Sequence, residues 1–323
     1  MKERIKAFDF TRVVLTLCII VFHFAAESQS NAAAVVSGFL NYTGQVFVDG
    51  FFMLSGGLLY LNDKETKIGK FYFNRWKTIF PPFYIAYIFV VIFNICVGTF
   101  SKAPIKQYLF TLLGMDGYFS YRFGTPYLVG EWFLGAIVIC YLFMPFVIRL
   151  SRKYDLVLLG VLTVVNIWLV YTDIFTVSRP RNILFCLLCM QVGVVIIKWE
   201  LWKRAVPVIL SLAIMFLRLA DRLPDWGYLV IGAALFVLLS FIGYYVTKND
   251  FLSKVFAWLA KISFCVFLIH HQVIYKLLER VNSVKTINVI LEFGFVVVVS
   301  VIIGYVIFRL SKLLTKVLNK FFS

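Results

Sequence analysis

The chain has 323 residues, of which 62% are hydrophobic and 15% are charged. Its mean hydropathy is +0.90, which a soluble domain cannot hide because such a domain needs a polar surface. The net charge of +16 would suggest nucleic acid in a soluble protein, but here the basic residues lie between apolar runs. The composition therefore indicates a polytopic membrane protein in contact with anionic lipids, and it argues against a nucleic-acid partner.

Ten apolar segments are close to the ~20 residues that a helix needs to cross a hydrocarbon core of ~30 Å. We predict ten membrane-spanning helices, at 8–26, 45–61, 78–97, 132–150, 155–172, 182–198, 205–221, 228–246, 256–276 and 287–310. The apolar run 105–113 is too short to span and is expected in a loop or at the membrane interface. The first segment resembles a signal peptide because MKERIK precedes it and Ala25-Ala26 ends it. Nine further spans follow, so we predict an uncleaved helix.

The basic residues predict the orientation of these spans. With the N-terminus in the cytoplasm, 22 of the 32 Lys and Arg residues fall in inside segments and the other 10 fall outside, as the positive-inside rule requires. Both termini are therefore expected in the cytoplasm and the long loop 98–131 outside. Because no internal repeat or soluble appendage is recognised, residues 1–323 are predicted to form a single all-α membrane domain, a polytopic helical bundle.

The first span contains two ionisable residues, Arg12 and His23, separated by ten uncharged ones. At about 100° and 1.5 Å per residue, their side chains share one face and lie ~16 Å apart along the axis. An ionisable group inside a membrane is a functional candidate, so we interpret His23 as a catalytic residue. For Arg12 the alternative stays open that it snorkels to the inner headgroups. Asp9 and Glu27 are spaced to pair with Arg12 and His23, at i, i+3 and i, i+4.

The chain has three histidines, and the other two, His270 and His271, lie in the ninth span. His270 is at a depth similar to that of His23, and Asp49 lies at a similar depth near the outer end of the second span. Ionisable groups at one depth on separate helices can converge on one cavity. We therefore predict that His23 and His270 share a site that Asp49 supports. The alternatives are unrelated buried imidazoles and an aspartate at an interfacial helix start.

Two basic residues, Arg75 and Lys77, stand at the cytoplasmic mouth of the third span, in KFYFNRWKTIFPPFY. An anion site is one interpretation, and an ordinary positive-inside loop is the other. Cys186 and Cys189 form a CxxC, but inside a span we interpret them as two small apolar residues one helical turn apart. We therefore expect no metal site.

Five segments, in order along nearly the whole chain, resemble the acyltransferase-3 family of integral membrane acyltransferases. They are the Arg-X10-His pattern at Arg12 and His23, VFVDGFFMLSG, FYFNRWKTIFPPFY, EWFLGAIVICYLFMPFV and ISFCVFLIHH. Carried over by motif, Arg12 and His23 are an essential pair, Arg75 and Lys77 are the basic pair, and His270 fits the late histidine. Lys77 departs from the arginine that the family often has, and a lysine lacks the bidentate fork.

The resemblance implies transfer of an acyl group, commonly acetyl, from cytoplasmic acyl-CoA to a hydroxyl of a cell-surface or lipid-linked glycan, by an enzyme of the bacterial plasma membrane. Arg12, Arg75 and Lys77 would hold the phosphates of coenzyme A. His23 would be the base that takes the hydroxyl proton, and His270 would orient the acceptor or stabilise the oxyanion. Direct transfer and an acyl-histidine intermediate both stay open.

Other functions compete with this one. An exporter or translocator of a polysaccharide or lipid-linked sugar would also place polar residues in a helical bundle, and acyl-CoA binding distinguishes it from an acyltransferase. A small-solute channel is disfavoured because the ionisable residues cluster on particular helices. No Walker A loop is present, so the chain is not an ATP-driven pump of that class. Membrane lipids are expected partners, and a homo-oligomer is compatible with the sequence.

Overall fold

A computed structural model describes most of the chain as helix. The described residues are 5–28, 30, 44–62, 67–100, 104–123, 129–170, 172, 181–219, 227–281 and 286–321. Every regular element within these ranges is a helix, which confirms the predicted all-α class.

The described residues form eleven α-helices and one short 3-10 helix, Leu201–Lys203. The α-helices are α1 (Lys6–Glu27), α2 (Gly44–Asn62), α3 (Ile68–Cys96), α4 (Ile105–Leu112), α5 (Asp116–Phe123), α6 (Glu131–Val170), α7 (Ile183–Lys198), α8 (Ala205–Leu219), α9 (Tyr228–Val246), α10 (Asp250–Leu278) and α11 (Thr286–Phe321). The short α4 covers the run that was expected not to span, and its eight residues are too few to cross a bilayer.

Seven of the described helices are long and apolar enough to cross a membrane, by length and composition: α1, α2, α3, α6, α9, α10 and α11. The apolar helices α7 and α8 are shorter, with 16 and 15 residues. The chain is therefore a multi-pass membrane protein, as its composition indicated. The ten membrane crossings and the cytoplasmic location of both termini stay predictions. Helix length and composition determine neither the number of crossings nor the side on which the termini lie.

Helix α3 begins earlier than its apolar run. The sequence predicted a span from residue 78, but the helix starts at Ile68. Hydropathy locates the hydrocarbon core, whereas a helical backbone can continue through the headgroup region into water. The early start places Arg75 and Lys77 on helical turns rather than in a loop.

The fourth and fifth predicted spans belong to one element, α6, which bends between them. Tyr154 has non-helical backbone angles of φ −125° and ψ 36°. At this bend the carbonyl of Ser151 accepts a hydrogen bond from Lys198 Nζ at 3.0 Å, and Gln191 Nε2 donates to the carbonyl of Asp155 at 2.9 Å. Both donors lie on α7, so α7 side chains satisfy backbone groups at the bend.

The chain folds into two compact units, and the first comprises Met1–Ile19, Asn41–Ile68 and Ile139–Ala260. Within it α2 and α7 approach so closely that their backbones touch. A Cβ on Gly56 would clash with the main chain of Met190, and a Cβ on Gly193 would clash with the carbonyl oxygen of Met53. Small residues permit this close packing of helices in membranes, where van der Waals contact drives association.

The second unit comprises Ile20–Leu40, Gly69–Val138 and Lys261–Ser323. Within it α11 crosses α10 closely, because a Cβ on Gly304 would clash with Val266. The same helix contacts α1, where the ring centroids of Phe24 and Phe293 are 5.4 Å apart. These contacts hold the last part of α1, the last part of α10 and α11 together.

The α2–α7 contact gives a stability prediction. We expect Gly193→Ala to destabilise the protein by about 1–3 kcal/mol, because the new methyl group must push two helix backbones apart. Gly160→Ala is the matched control, since a Cβ there meets nothing within 4 Å, and it should be neutral or stabilising by up to about 1 kcal/mol. Thermal unfolding in detergent measures both. Equal effects of the two substitutions would contradict the close contact.

Candidate active site

Three helices of the second unit bring ionisable side chains together around the carboxylate of Glu131. Its Oε1 lies 2.5 Å from His271 Nδ1, 3.3 Å from His23 Nε2 and 4.0 Å from His270 Nε2. The Glu131 side chain is 13% exposed, so bulk water has little access to these contacts. All three histidines of the chain therefore face one buried carboxylate.

Glu131 is held in an uncommon backbone conformation. Its φ is +49°, and that of the preceding Gly130 is +78°. A residue with a side chain seldom adopts a positive φ, and such strain is concentrated at functional sites. Helix α5 presses on the same backbone, because a Cβ on Gly117 would clash with the carbonyl oxygen of Glu131. The surrounding helices thus hold the first residue of α6 in this position.

His270 has one ring nitrogen bonded and one free within the described part of the chain. Its Nδ1 lies 2.6 Å from the carbonyl oxygen of Phe267. A carbonyl only accepts, so Nδ1 carries the hydrogen and Nε2 of the neutral ring keeps a lone pair. This Nε2 is buried and has no hydrogen-bond partner, and the side chain is 1% exposed. His270 therefore presents a hydrogen-bond acceptor to the site.

His271 contacts both Glu131 and His23. Its ring centroid lies 4.6 Å from that of His23, compared with 5.3 Å for His270. The His271 ring also stacks on that of Tyr275, with centroids 4.6 Å apart and an interplanar angle of 9°. The motif favoured His270 as the late histidine, whereas the geometry brings both rings to His23 and gives the Glu131 hydrogen bond to His271.

A second carboxylate, Glu131, lies at His23 beside the one that the sequence favoured. Glu27 was expected to orient the imidazole, and its Oε1 accepts a hydrogen bond from Tyr275 at 3.2 Å. The role of Glu27 at His23 stays a prediction. Sequence reasoning used EWFLG only as part of a family motif, although an ionisable residue at the edge of an apolar segment is itself a functional signal.

Asp49 and Asp9 lie in the first unit and are buried, with exposures of 0% and 6%. Gln45 Nε2 donates to Asp49 Oδ1 at 2.7 Å, and Asp49 Oδ2 is buried without a hydrogen-bond partner. A Cβ on Gly232 would lie 3.3 Å from Asp49 Cβ, so α9 packs against this aspartate. The pairing of Asp9 with Arg12 and the supporting role of Asp49 at the histidine site stay predictions.

The predicted phosphate-binding residues are divided between the units. Arg75 and Lys77 lie in the second unit and Arg12 in the first. Arg75 Nε is buried without a hydrogen-bond partner, and its guanidinium carbon lies 5.9 Å from the Phe71 ring centroid. Lys77 Nζ donates to Asn319 Oδ1 at 3.1 Å. Arg75 thus retains donor capacity for an anion, and its grouping with Arg12 stays a prediction.

The histidine cluster could also hold a metal ion. His23, Glu131 and His270 each offer one ligand atom, and these atoms lie within 4.8 Å of one another. Two imidazoles and a carboxylate form a set that zinc and iron sites use. Zinc bonds of ~2.0–2.2 Å require ligand atoms ~3.3–3.5 Å apart. The distance from His23 Nε2 to Glu131 Oε1 is 3.3 Å and meets this requirement. The distance from His270 Nε2 to Glu131 Oε1 is 4.0 Å and exceeds it. The expectation of no metal stays a prediction.

The apolar helices and the buried histidine–carboxylate cluster define a multi-pass membrane protein equipped for acid–base chemistry. The sequence model of the acyltransferase domain matches residues 5–309, which include most of both units. The chain belongs to the acyltransferase-3 family, and it is a membrane acyltransferase. No curated protein and no solved structure matches the chain.

The placement of Glu131 gives a prediction for catalysis. We expect Gly117→Ala to lower acyl transfer by about tenfold to 100-fold, because a shift of ~1 Å at a catalytic group can cost ~100-fold. Gly69→Ala is the matched control, since a Cβ there meets nothing within 4 Å. Turnover of acyl donor by purified protein, normalised to folded protein, measures the effect. Full activity in Gly117→Ala would show that the position of Glu131 is not critical.

Proposed function

We propose that this acyltransferase moves an acyl group, acetyl in the simplest case, from cytoplasmic acyl-CoA to a hydroxyl of a cell-surface or lipid-linked glycan. The proposed location is the bacterial plasma membrane. The observation that supports the proposal most is the position of His23, whose Nε2 lies 3.3 Å from the buried carboxylate of Glu131 and whose ring centroid lies 4.6 Å from that of His271. Such a group can accept and return a proton, which O-acyl transfer requires.

The proposed role of His23 is that of the general base. An ionised carboxylate only accepts hydrogen bonds, so Glu131 favours the tautomer of His23 with the hydrogen on Nε2. Nδ1 then keeps the lone pair that takes the proton of the acceptor hydroxyl. The negative charge of Glu131 also stabilises the imidazolium that forms, as the aspartate of a catalytic triad does.

The reaction then balances within the site. The acceptor oxygen bonds to the thioester carbonyl carbon, the carbon–sulfur bond breaks, and the imidazolium proton goes to the departing thiolate of coenzyme A. Arg12 lies on the same helix as His23, ~16 Å nearer its N-terminal end. On the predicted orientation, the phosphates of the donor would bind at the cytoplasmic side and acyl transfer would take place nearer the outer side. The separation of Arg12 and His23 along the helix matches this arrangement.

His270 is better suited to the acceptor than to the oxyanion. Its Nδ1 is engaged by the Phe267 carbonyl, so the neutral ring offers a lone pair at Nε2. An oxyanion requires a hydrogen-bond donor, whereas a hydroxyl of the acceptor can donate to Nε2. Of the two roles that the family resemblance left open for His270, the geometry supports orientation of the acceptor.

Substitution of the His23–Glu131 pair tests the mechanism. We expect His23→Ala to lower transfer by about 100-fold to 10,000-fold, which is the contribution of a general base. Glu131→Gln should lower it less. The double variant should be no worse than His23→Ala, because residues that act as one unit are not additive.

The assay is acyl transfer from labelled acyl-CoA to the surface glycan of cells with equal amounts of membrane protein. Glu279→Gln is the control, since that glutamate is exposed and pairs with Lys276 at 3.1 Å. Normal glycan acylation by His23→Ala would refute the proposed role of His23. Failure of the unsubstituted protein to bind acyl-CoA would favour the exporter.

Arg75 gives a prediction about the donor. We expect Arg75→Gln to raise the KM for acyl-CoA by about tenfold, because a hydrogen bond to a charged group contributes ~1.5–3 kcal/mol. The KM for acyl-pantetheine, which lacks the nucleotide phosphates, should not change. Lys261→Gln, at an exposed cation of α10, is the control. An equal rise for both donors would show that Arg75 does not bind these phosphates.

A further inference from the structure

The second unit contains a further buried carboxyl group, and this one, unlike Glu131, has no hydrogen-bond partner among the described residues. Glu292 on α11 is 7% exposed, and neither of its oxygens has a hydrogen-bond partner among the described residues. Burial of a carboxylate without donors is costly, and an apolar residue of similar size would pack there at lower free energy. Ionisable residues retained inside a membrane mark sites of function. The two Glu292 oxygens are therefore able to accept hydrogen bonds from the donor groups of a ligand.

The helix contacts place Glu292 near the level of His23. Phe293, the next residue on α11, packs its ring against Phe24, the residue that follows His23, with centroids 5.4 Å apart. Glu292 is the seventh residue of α11, so it lies ~9 Å from the start of that helix. On the predicted orientation, α11 begins at the outer face. For a substrate that enters from outside, Glu292 would thus lie at about the same depth as the histidine cluster.

The chemistry of the carboxylate restricts the ligand. An ionised carboxylate offers only acceptor positions, and its two oxygens can accept from two hydroxyl groups at once. A carboxylate in this form repels the phosphates of coenzyme A. A polyol satisfies both oxygens without bringing a second charge into the bundle, whereas an ammonium group would add its own desolvation cost.

We infer that Glu292 binds hydroxyl groups of a polyol acceptor and holds that acceptor beside the histidine cluster. This inference rests on the proposed function and names the residue that recognises the glycan. Glu292 then acts on the acceptor alone, not on the donor. Its removal should therefore separate acyl transfer to glycan from acyl-CoA binding and from slow hydrolysis, in which water replaces the acceptor.

The test uses the full chain with Glu292→Leu and Glu292→Gln. In Glu292→Leu, alkali-labile acetyl on the surface glycan of expressing cells should fall by about tenfold to 100-fold, the effect of losing two hydrogen bonds to the acceptor. Acetyl-CoA affinity and hydrolysis of acetyl-CoA by purified protein should stay within about twofold. The melting temperature in detergent should be equal or higher, because a buried polar group without hydrogen-bond partners has been replaced by an apolar side chain. Glu292→Gln should give an intermediate loss of glycan acetylation.

Gly294→Ala is the matched control on the same helix, because a Cβ there meets nothing within 4 Å. Normal glycan acetylation by folded Glu292→Leu would overturn the inference. A lower melting temperature and lost acetyl-CoA binding in Glu292→Leu, with full glycan acetylation in Glu292→Gln, would show a structural role and overturn it as well. If the unsubstituted protein binds no acetyl-CoA, the proposed function fails. If the unsubstituted protein acetylates glycan and Glu292→Leu does so equally well, only the present inference is refuted.

Discussion

The carboxylate of Glu131 can remain inside an apolar helical bundle only while hydrogen-bond donors face it, and this requirement shapes the second unit. The donors come from His271 on α10 and His23 on α1, at 2.5 Å and 3.3 Å from Oε1. Two helices are thereby fixed against the start of a third. The helix dipole adds to this, since a negative charge is stabilised at the N-terminus of α6. The left-handed backbone of Glu131 is maintained because these contacts over-determine it.

Buried polar groups of the described residues fall into two kinds. Asp155 of the first unit is satisfied, because Lys198 Nζ lies 2.9 Å from Oδ1 and Trp199 Nε1 donates to Oδ2 at 2.6 Å. A satisfied network of this sort makes a bend in a helix rigid. His270 and Glu292 of the second unit retain buried atoms without partners. The unpartnered atoms of His270 and Glu292 are able to take up hydrogen bonds from a ligand, whereas those of Asp155 are already engaged.

The helices followed from the sequence because apolar length is nearly sufficient to define a membrane span. Helices α1, α2 and α9 differ from their predicted bounds by two residues or fewer. The meeting of His23 and His270 followed from equal depth. Glu131 was missed because its position depends on two successive residues with positive φ, which no periodic pattern reveals. The sequence did not decide which of His270 and His271 faces His23. Adjacent residues differ by ~100° around a helix, and the sequence does not fix the rotation of that helix.

The unpartnered groups have a consequence for the stability of the second unit. Each buried atom without a partner lowers the free energy of unfolding, and close packing such as that of Gly304 on Val266 must offset it. A ligand that binds the folded state alone stabilises it by mass action. An acceptor that donates hydroxyl hydrogens to Glu292 and His270 would remove two of these costs together. Recognition of the acceptor and rigidity of the site are then consequences of the same hydrogen bonds.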